Sequence, residues 1–308
     1  MTRRDFIQKT ALTTALLSMP SLPVLANSGT KKITILHTND QHSRIEPFEI
    51  SSDERYSNKG GFARRAALIN QIRSQEKNVL LLDAGDIFQG TPYFNFFGGE
   101  LEFKLMSKMG YDVATLGNHE FDAGLEGIKK QLPHAQFDFV TANYDFSDTI
   151  LDGAFKRGKI IQKDGLKIGI FGLGIKLEGL VGKEYYGETK YLDPIEAAQE
   201  MTQEFKQKNC DLIICLSHLG YNYGERNFVS DVMLAQKTKD IDLIIGGHTH
   251  TFLEHPVEKL NAEGKTVIIN QVGWAGLYLG RIDFYLDTKS KTKNYTTHTI
   301  GVNTSVLV

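Results

Sequence analysis

The sequence predicts an α/β domain with parallel strand pairing, and two observations carry that expectation. Apolar runs of β type alternate with segments of helical spacing, the order that builds strand–helix–strand units. Several of the apolar runs are also continuous, as strands buried on both faces must be. The predicted strands are 33–38, 79–83, 113–116, 168–172, 212–216, 243–245, 267–270 and 281–286. Between them, 61–75, 100–109, 125–131, 194–208 and 228–239 have helix-compatible spacing. Asp193-Pro194 marks one start, with Asp as the cap and Pro in the first turn. There is no internal repeat. The Ser/Thr/Lys-rich stretch 287–299 reads as a loop or a terminal hairpin.

Composition bounds the function classes. At 308 residues, 41% hydrophobic and 23% charged, the chain is ordinary globular protein. A formal net charge of −2 supplies no basic field to draw it to nucleic acid or anionic lipid, which disfavours a nuclease that grips polymer backbone. Residues 1–26 read as an export signal: Arg3-Arg4 precede Phe6-Ile7, a modestly apolar stretch covers 11–26, and Val24-Leu25-Ala26 offers small residues for cleavage before Asn27. Interrupted by Pro20 and Pro23, that stretch is too short for a stable membrane span. It resembles a twin-arginine signal, the alternative being a general secretory one, and the expected destination is the periplasm. The mature domain is then 27–308. Cys210 and Cys215 would lie roughly 16 Å apart in extended chain, too far for a disulfide. Both are read as buried small apolar residues.

The polar residues gather where predicted strands end. The first strand leads into Asp40-Gln41-His42, the second into Gly85-Asp86, and the third into Gly117-Asn118-His119-Glu120. Later ones lead into Ser217-His218 and Gly246-Gly247-His248-Thr249-His250. In an open α/β sheet the carboxyl ends of the strands form one ligand-binding edge. Asp40 and His42, like His248 and His250, are two apart, so in extended chain each pair points one way. Alone, Asp-x-His or Gly-Asp is ordinarily a turn or a cap, Gly-Asn-His-Glu could be a strand-to-helix turn, and Gly-His-x-His is the stronger signal because two imidazoles facing one way invite metal. Together, at successive strand ends, they form a site. Oxygen and nitrogen ligands without thiolate suit Zn, Mn, Fe or Co, and the two oxygens of Asp86 make it the candidate bridge between two ions.

The ordered set Asp40-x-His42, Gly85-Asp86-x-x-x-Gly90, Gly117-Asn118-His119-Glu120, His218 and Gly247-His248-x-His250 resembles the calcineurin-like metallophosphoesterases. Residues 35–40, Gly60-Gly61-Phe62-Ala63-Arg64 and 117–122 are similar to the catalytic domain of the 5′-nucleotidase family, and the likeness runs from about Lys31 to Leu286. The resemblance implies a four-layer α/β/β/α sandwich of two facing mixed sheets. It implies one divalent ion held by Asp40, His42, Asp86 and His250, and another by Asp86, Asn118, His218 and His248. His119 would face the substrate and Asp122 would orient it. Members of the nucleotidase branch often carry Gln or Asn where His250 stands.

The implied activity is hydrolysis of phosphate monoesters, chiefly nucleoside 5′-monophosphates, by metal-activated water. His119 would assist the leaving oxygen. The alternatives are a UDP-sugar or cyclic-nucleotide phosphodiesterase, a thiosulfonate hydrolase on the same site, and a metal-bearing binding or scaffold protein. His37 reads as a packed core histidine, His134, His255 and His298 as surface residues, Glu120 as a scaffold acceptor and Arg64 as solvent-facing. In the family resembled, a C-terminal domain stacks aromatic side chains on the nucleobase. About 20 residues follow Leu286 here, too few for one, so the expectation is a weakly discriminating phosphatase with a separately encoded partner domain. That partner would dock beside Tyr93, Phe94, Tyr221 and Tyr223.

Overall fold

The computed structural model describes residues 30–303 apart from 225, 227 and 288, so the expected export signal lies outside the described residues. The described strands are β1 (Thr30–Thr38), β2 (Val79–Asp83), β3 (Val113–Ala114), β4 (Asp138–Phe139), β5 (Tyr144–Asp145), β6 (Gly158–Lys163) and β7 (Leu166–Leu173). They continue with β8 (Lys190–Tyr191), β9 (Leu212–Ser217), β10 (Leu243–Gly246), β11 (Val257–Leu260), β12 (Thr266–Asn270), β13 (Tyr278–Asp287) and β14 (Lys293–Gly301). One six-stranded sheet has the order β14-β13-β1-β2-β3-β4 and a second the order β11-β12-β10-β9-β7-β6, while β5 and β8 make a small ribbon. In the first, β1 to β4 are parallel and β13 and β14 add antiparallel. In the second, β12, β10, β9 and β7 are parallel, with antiparallel strands at both edges.

The period-2 alternation of strand side chains explains why these sheets stack. Ile33 and Ile35 of β1, Leu80 and Leu82 of β2, Ile168 and Ile170 of β7, Leu212, Ile214 and Leu216 of β9, and Ile282 and Phe284 of β13 share one buried cluster between the sheets. The alternate residues face outward. Leu36 and Leu81 pack under helices Phe62–Gln75 and Glu100–Met109. Phe171, Ile213, Cys215 and Ile244 pack under helices Pro194–Gln207 and Asp231–Lys237. Three apolar layers thus separate four structural ones, the α/β/β/α sandwich expected.

Local chemistry sets the boundaries. Asp193 caps its helix as expected, its Oδ1 accepting from the amides of Ile195 (2.7 Å) and Glu196 (3.1 Å). The helix predicted over 228–239 is shorter, Asp231–Lys237, because Ser230 adopts extended backbone and caps it through Oγ on the Met233 amide. The strand predicted over 113–116 closes at Ala114. The terminal stretch is the hairpin of the two readings, with β14 paired to β13. Cys215 is buried and Cys210 only half-buried, which corrects the expectation that both are fully enclosed.

Candidate metal centre

All the candidate ligands emerge on loops at the carboxyl ends of parallel strands, from both sheets. Asp40 and His42 follow β1, Asp86 follows β2 and Asn118 follows β3, whereas His218 follows β9, and His248 and His250 follow β10. The turns are tight. Asp40, His42, Asp86, His248 and His250 all have positive φ, between 49° and 69°, a conformation that costs a non-glycine residue about 1–3 kcal/mol. Gly117 is required by close approach, since a Cβ there would stand 2.2 Å from Asp86 Oδ1 and 2.7 Å from His218 Nε2.

The loops converge on two overlapping donor sets. Ligand atoms of Asp40, His42, Asp86 and His250 lie within 4.8 Å of one another, as do those of Asp86, His218 and His248, so Asp86 belongs to both. Asn118 joins the second, with Oδ1 2.8 Å from His248 Nδ1. His218 Nε2 is 3.0 Å from Asp86 Oδ2, while its Nδ1 donates to the Ala84 carbonyl at 2.7 Å, which aims Nε2 at the Asp86 carboxylate. The amide of His248 donates to Asp40 Oδ1 at 2.9 Å, and that of His119 to Asp86 Oδ1 at 2.8 Å.

This donor set fits a pair of divalent cations. Asp40 and Asp86 are buried side by side, and among the described residues neither has a Lys or Arg in its ion pairs. Buried carboxylates require compensating positive charge. Buried His218 turns Nε2 to the Asp86 carboxylate, and the Nε2 atoms of His42 and His250 converge to 2.9 Å. Burial lowers His42 and His248 to about 4, with the Asp86 charge opposing, so both imidazoles are neutral at pH 7, the form that coordinates metal. Burial raises both carboxyls, but for Asp86 the charge of His218 outweighs it and holds the group ionised, whereas Asp40 is left raised. The Asp86 carboxylate conversely lifts His218 to about 10 against its burial.

His119 and Asp122 stand at the mouth. They lie in a 3-10 turn, His119–Ala123, in which residues three apart eclipse. His119 Nδ1 is 2.7 Å from Asp122 Oδ2. Burial disfavours the protonated ring, but the hydrogen bond to Asp122 and the charge of Asp86 prevail, so its pKa is raised.

The outer shell is directional. Glu120 is fully buried, and its carboxylate accepts from the amides of Asp86 (3.0 Å), Ile87 (2.7 Å), Phe88 (3.2 Å) and Gly117 (2.5 Å). Burial and the Asp86 charge push its carboxyl up to about 7, while these amides pull the other way. It is the scaffold acceptor expected. His37 is buried and bonded to Asn270 at 3.0 Å, and burial lowers it to about 3. His255 and His298 are exposed, and His134 is half-buried. Arg64 is not free in solvent, because it donates to the Asn58 carbonyl (2.6 Å) and Oδ1 (2.8 Å). Tyr93, Phe94, Tyr221 and Tyr223 are half-buried, since Phe94 packs on the core and Tyr223 donates to the Leu219 carbonyl. The exposed rings of those loops are instead Phe96, Phe97 and Phe228. Sequence reasoning missed Asn39, Gln271 and Trp274, which clamp or cover the ligand loops. The one available signal was that Trp274 is the only tryptophan and follows a strand end.

Residues 33–252 match the calcineurin-like phosphoesterase family, and the chain belongs to it. It is 35% identical to the snake venom 5′-nucleotidase of Naja atra over 90% of this chain and 55% of that protein. It is 35% identical to the NAD 5′-nucleotidase of Haemophilus influenzae over 79% of this chain and 42% of that protein. The crystal structure of the 5′-nucleotidase precursor from Thermus thermophilus superposes with a TM-score of 0.81 at 34% identity, over 90% of this chain and 55% of that one. The chain thus spans about half the length of the relatives it matches. Among the described residues no helix is long and apolar enough to cross a membrane.

Proposed function

We propose that this chain hydrolyses phosphate monoesters, nucleoside 5′-monophosphates among them, with little discrimination of its own between them and simpler esters. The observation that carries the reading is Asp86, shared by two donor sets with a His–Asp pair at their mouth. We assign Asp40, His42, Asp86 and His250 to one divalent ion, and Asp86, Asn118, His218 and His248 to the other. When bound, such a pair neutralises phosphate charge and supplies water activated near neutral pH. The rest is the work of the side chains. The Asp122 oxygen accepts from His119 Nδ1 at 2.7 Å, which fixes a proton on Nδ1 and leaves Nε2 toward the substrate. Protonated at Nε2, His119 gives its proton to the leaving oxygen, help worth typically about 10²–10⁴-fold. Glu120 holds the loops of Asp86 and Asn118 in place.

Export to the periplasm by a twin-arginine route, with residues 1–26 as the signal, is part of this reading. Its supports are Arg3-Arg4 and the apolar stretch behind them, together with one relative named as a venom protein and another named as a precursor. We assign nucleobase preference to the part of such proteins that the matched region lacks, whether joined to it or separate. Exposed Phe96, Phe97 and Phe228 suit a docking surface for it.

The test is a substrate panel on metal-stripped protein reloaded separately with Mn, Zn and Co. AMP, phenyl phosphate, a UDP-sugar, a cyclic nucleotide and a thiosulfonate are the substrates. Turnover confined to diesters or to the thiosulfonate would overturn the monoesterase assignment. A preference for AMP over phenyl phosphate above about 100-fold, near the top of what base stacking supplies, would show that this domain reads the base unaided.

A further inference from the structure

His250 differs from the other imidazoles of the centre. His218 is oriented by the Ala84 carbonyl, His248 meets its neighbour Asn118 at 2.8 Å, and His42 is enclosed by its neighbours. His250 has its side chain 40% exposed, and its one hydrogen-bond contact among the described residues is the Nε2 approach to His42. A ligand histidine ordinarily has its second ring nitrogen fixed by a polar partner. Here the ring instead lies flat on Trp274, with centroids 5.6 Å apart and planes at 4°. The same indole meets the His42 ring edge-on at 6.4 Å. Trp274 therefore touches both imidazoles of one donor set.

Trp274 is built into a rigid mount. Asn39 Nδ2 donates to the Gly273 carbonyl at 2.6 Å, and Asn39 Oδ1 accepts from the Val272 amide at 3.0 Å. The Ala275 amide donates to the Asp40 carbonyl at 2.7 Å. The loop bearing the indole is thus fastened to the two residues that begin the first ligand loop. Phe48 and Tyr56 pack edge-on against it, with centroids at 5.9 and 6.2 Å.

We propose that Trp274 is a positioning residue for the ion held by Asp40, His42, Asp86 and His250, acting through the ring plane of His250 in place of a hydrogen bond. The inference rests on the dinuclear reading above. Loss of the indole frees a half-exposed ring to rotate and weakens that position alone. The other position, whose imidazoles His218 and His248 are not among the rings that the indole meets, keeps its affinity. Removal of an outer-shell partner typically costs about 10–100-fold in metal affinity, and that is the loss expected here at one position of two.

The experiment is stepwise Mn²⁺ titration of the metal-stripped full chain, with stoichiometry and both affinities measured by calorimetry and metal analysis. Because Trp274 is the sole tryptophan, its emission reports the site directly. In wild type the paramagnetic ion should quench that emission as the position beside His250 fills. Trp274→Ala should weaken one affinity about 10–100-fold and leave the other unchanged, and Trp274→Phe, which keeps a flat ring, should recover most of the loss. Two wild-type affinities in folded Trp274→Ala would overturn the proposal, as would equal weakening at both positions. Should Trp274→Ala not fold, Trp274→Phe and wild-type emission decide: emission unmoved while two ions bind refutes it. Failure of wild type to bind two ions at all would refute the dinuclear reading itself.

Discussion

Glu120→Gln is the most informative single change, because one carboxylate organises the turns that carry Asp86 and Asn118. Its Oε1 accepts from Ile87 at 2.7 Å and Phe88 at 3.2 Å, and its Oε2 from Asp86 at 3.0 Å and Gly117 at 2.5 Å. An amide keeps one acceptor and turns an NH₂ toward two backbone N–H groups, whichever oxygen it replaces. Each buried amide left without a partner costs about 1–3 kcal/mol, so the change should destabilise by about 2–6 kcal/mol. Against a whole-domain stability of about 5–15 kcal/mol, that is a large fraction. In a chain of this size each kcal/mol moves Tm by about 2–4 °C, so a fall of roughly 5–20 °C is expected. The loss falls on the ligand turns, so metal content should fall with it. Thermal unfolding of stripped and loaded protein, alongside metal analysis, measures both. A variant within about 0.5 kcal/mol of wild type, with full metal content, would refute the reasoning.

Asp86→Asn, which alters the donor common to both sets, should lower occupancy at both positions and abolish turnover; two full equivalents of metal with near wild-type activity would sink the shared role. His119→Asn should keep metal content while lowering kcat by about 10²–10⁴-fold for alkyl esters, and Asp122→Asn should show a smaller loss of the same kind. With nitrophenyl phosphate the deficit should shrink, and an undiminished loss would refute proton donation. His37 titrates near 3 in the native state against 6.5 unfolded, so between those values only the unfolded chain binds the proton. Stability should therefore fall by up to about 1.4 kcal/mol per pH unit as pH drops below 6.5; urea unfolding at several pH values should give His37→Phe a shallower slope, and equal slopes would exclude His37 as the source.

What was legible in the sequence follows from how strongly each element writes its pattern. β2 and helix Glu100–Met109 match their predicted limits, because a run of five apolar-flanked residues and a helix closed by a left-handed Gly110 are locally specified. β4, β5 and β8 are two residues each, too short for any periodicity. β6 and β11 are half-exposed edge strands with mixed Lys, Glu and Gln, which look like surface loop. The candidate ligands were legible because Gly, His, Asp and Asn stand where apolar runs stop. That β9 and β10 belong to a different sheet from β1 and β2 was not readable from alternation, which reports burial and is silent on which sheet buries it. The roles of Trp274, Gln271 and Asn39 were hidden because they depend on contacts across 20 or more residues of chain.

The centre lies at the seam of those sheets, and its precision has a different origin from the sandwich around it. The layer between the sheets is Ile, Leu, Val and Phe, whose attraction is nondirectional and tolerates sliding within a well-packed shape. Polar cross-links fix what that layer leaves free. His218 Nδ1 of the second sheet donates to Ala84 of the first at 2.7 Å, the His248 amide donates to Asp40, and the Ala275 amide donates to the Asp40 carbonyl. Gln271 Oε1 accepts from the Thr251 amide, and its Nε2 donates to the Gly247 carbonyl, which brackets the His248–His250 segment. Five residues of the two donor sets sit at positive φ, at about 1–3 kcal/mol each, and such turns persist only where surroundings over-determine them. The hydrogen bonds across the seam supply that determination for the loops of Asp40, Asp86 and His248. Beside His250 the face of Trp274 adds to it.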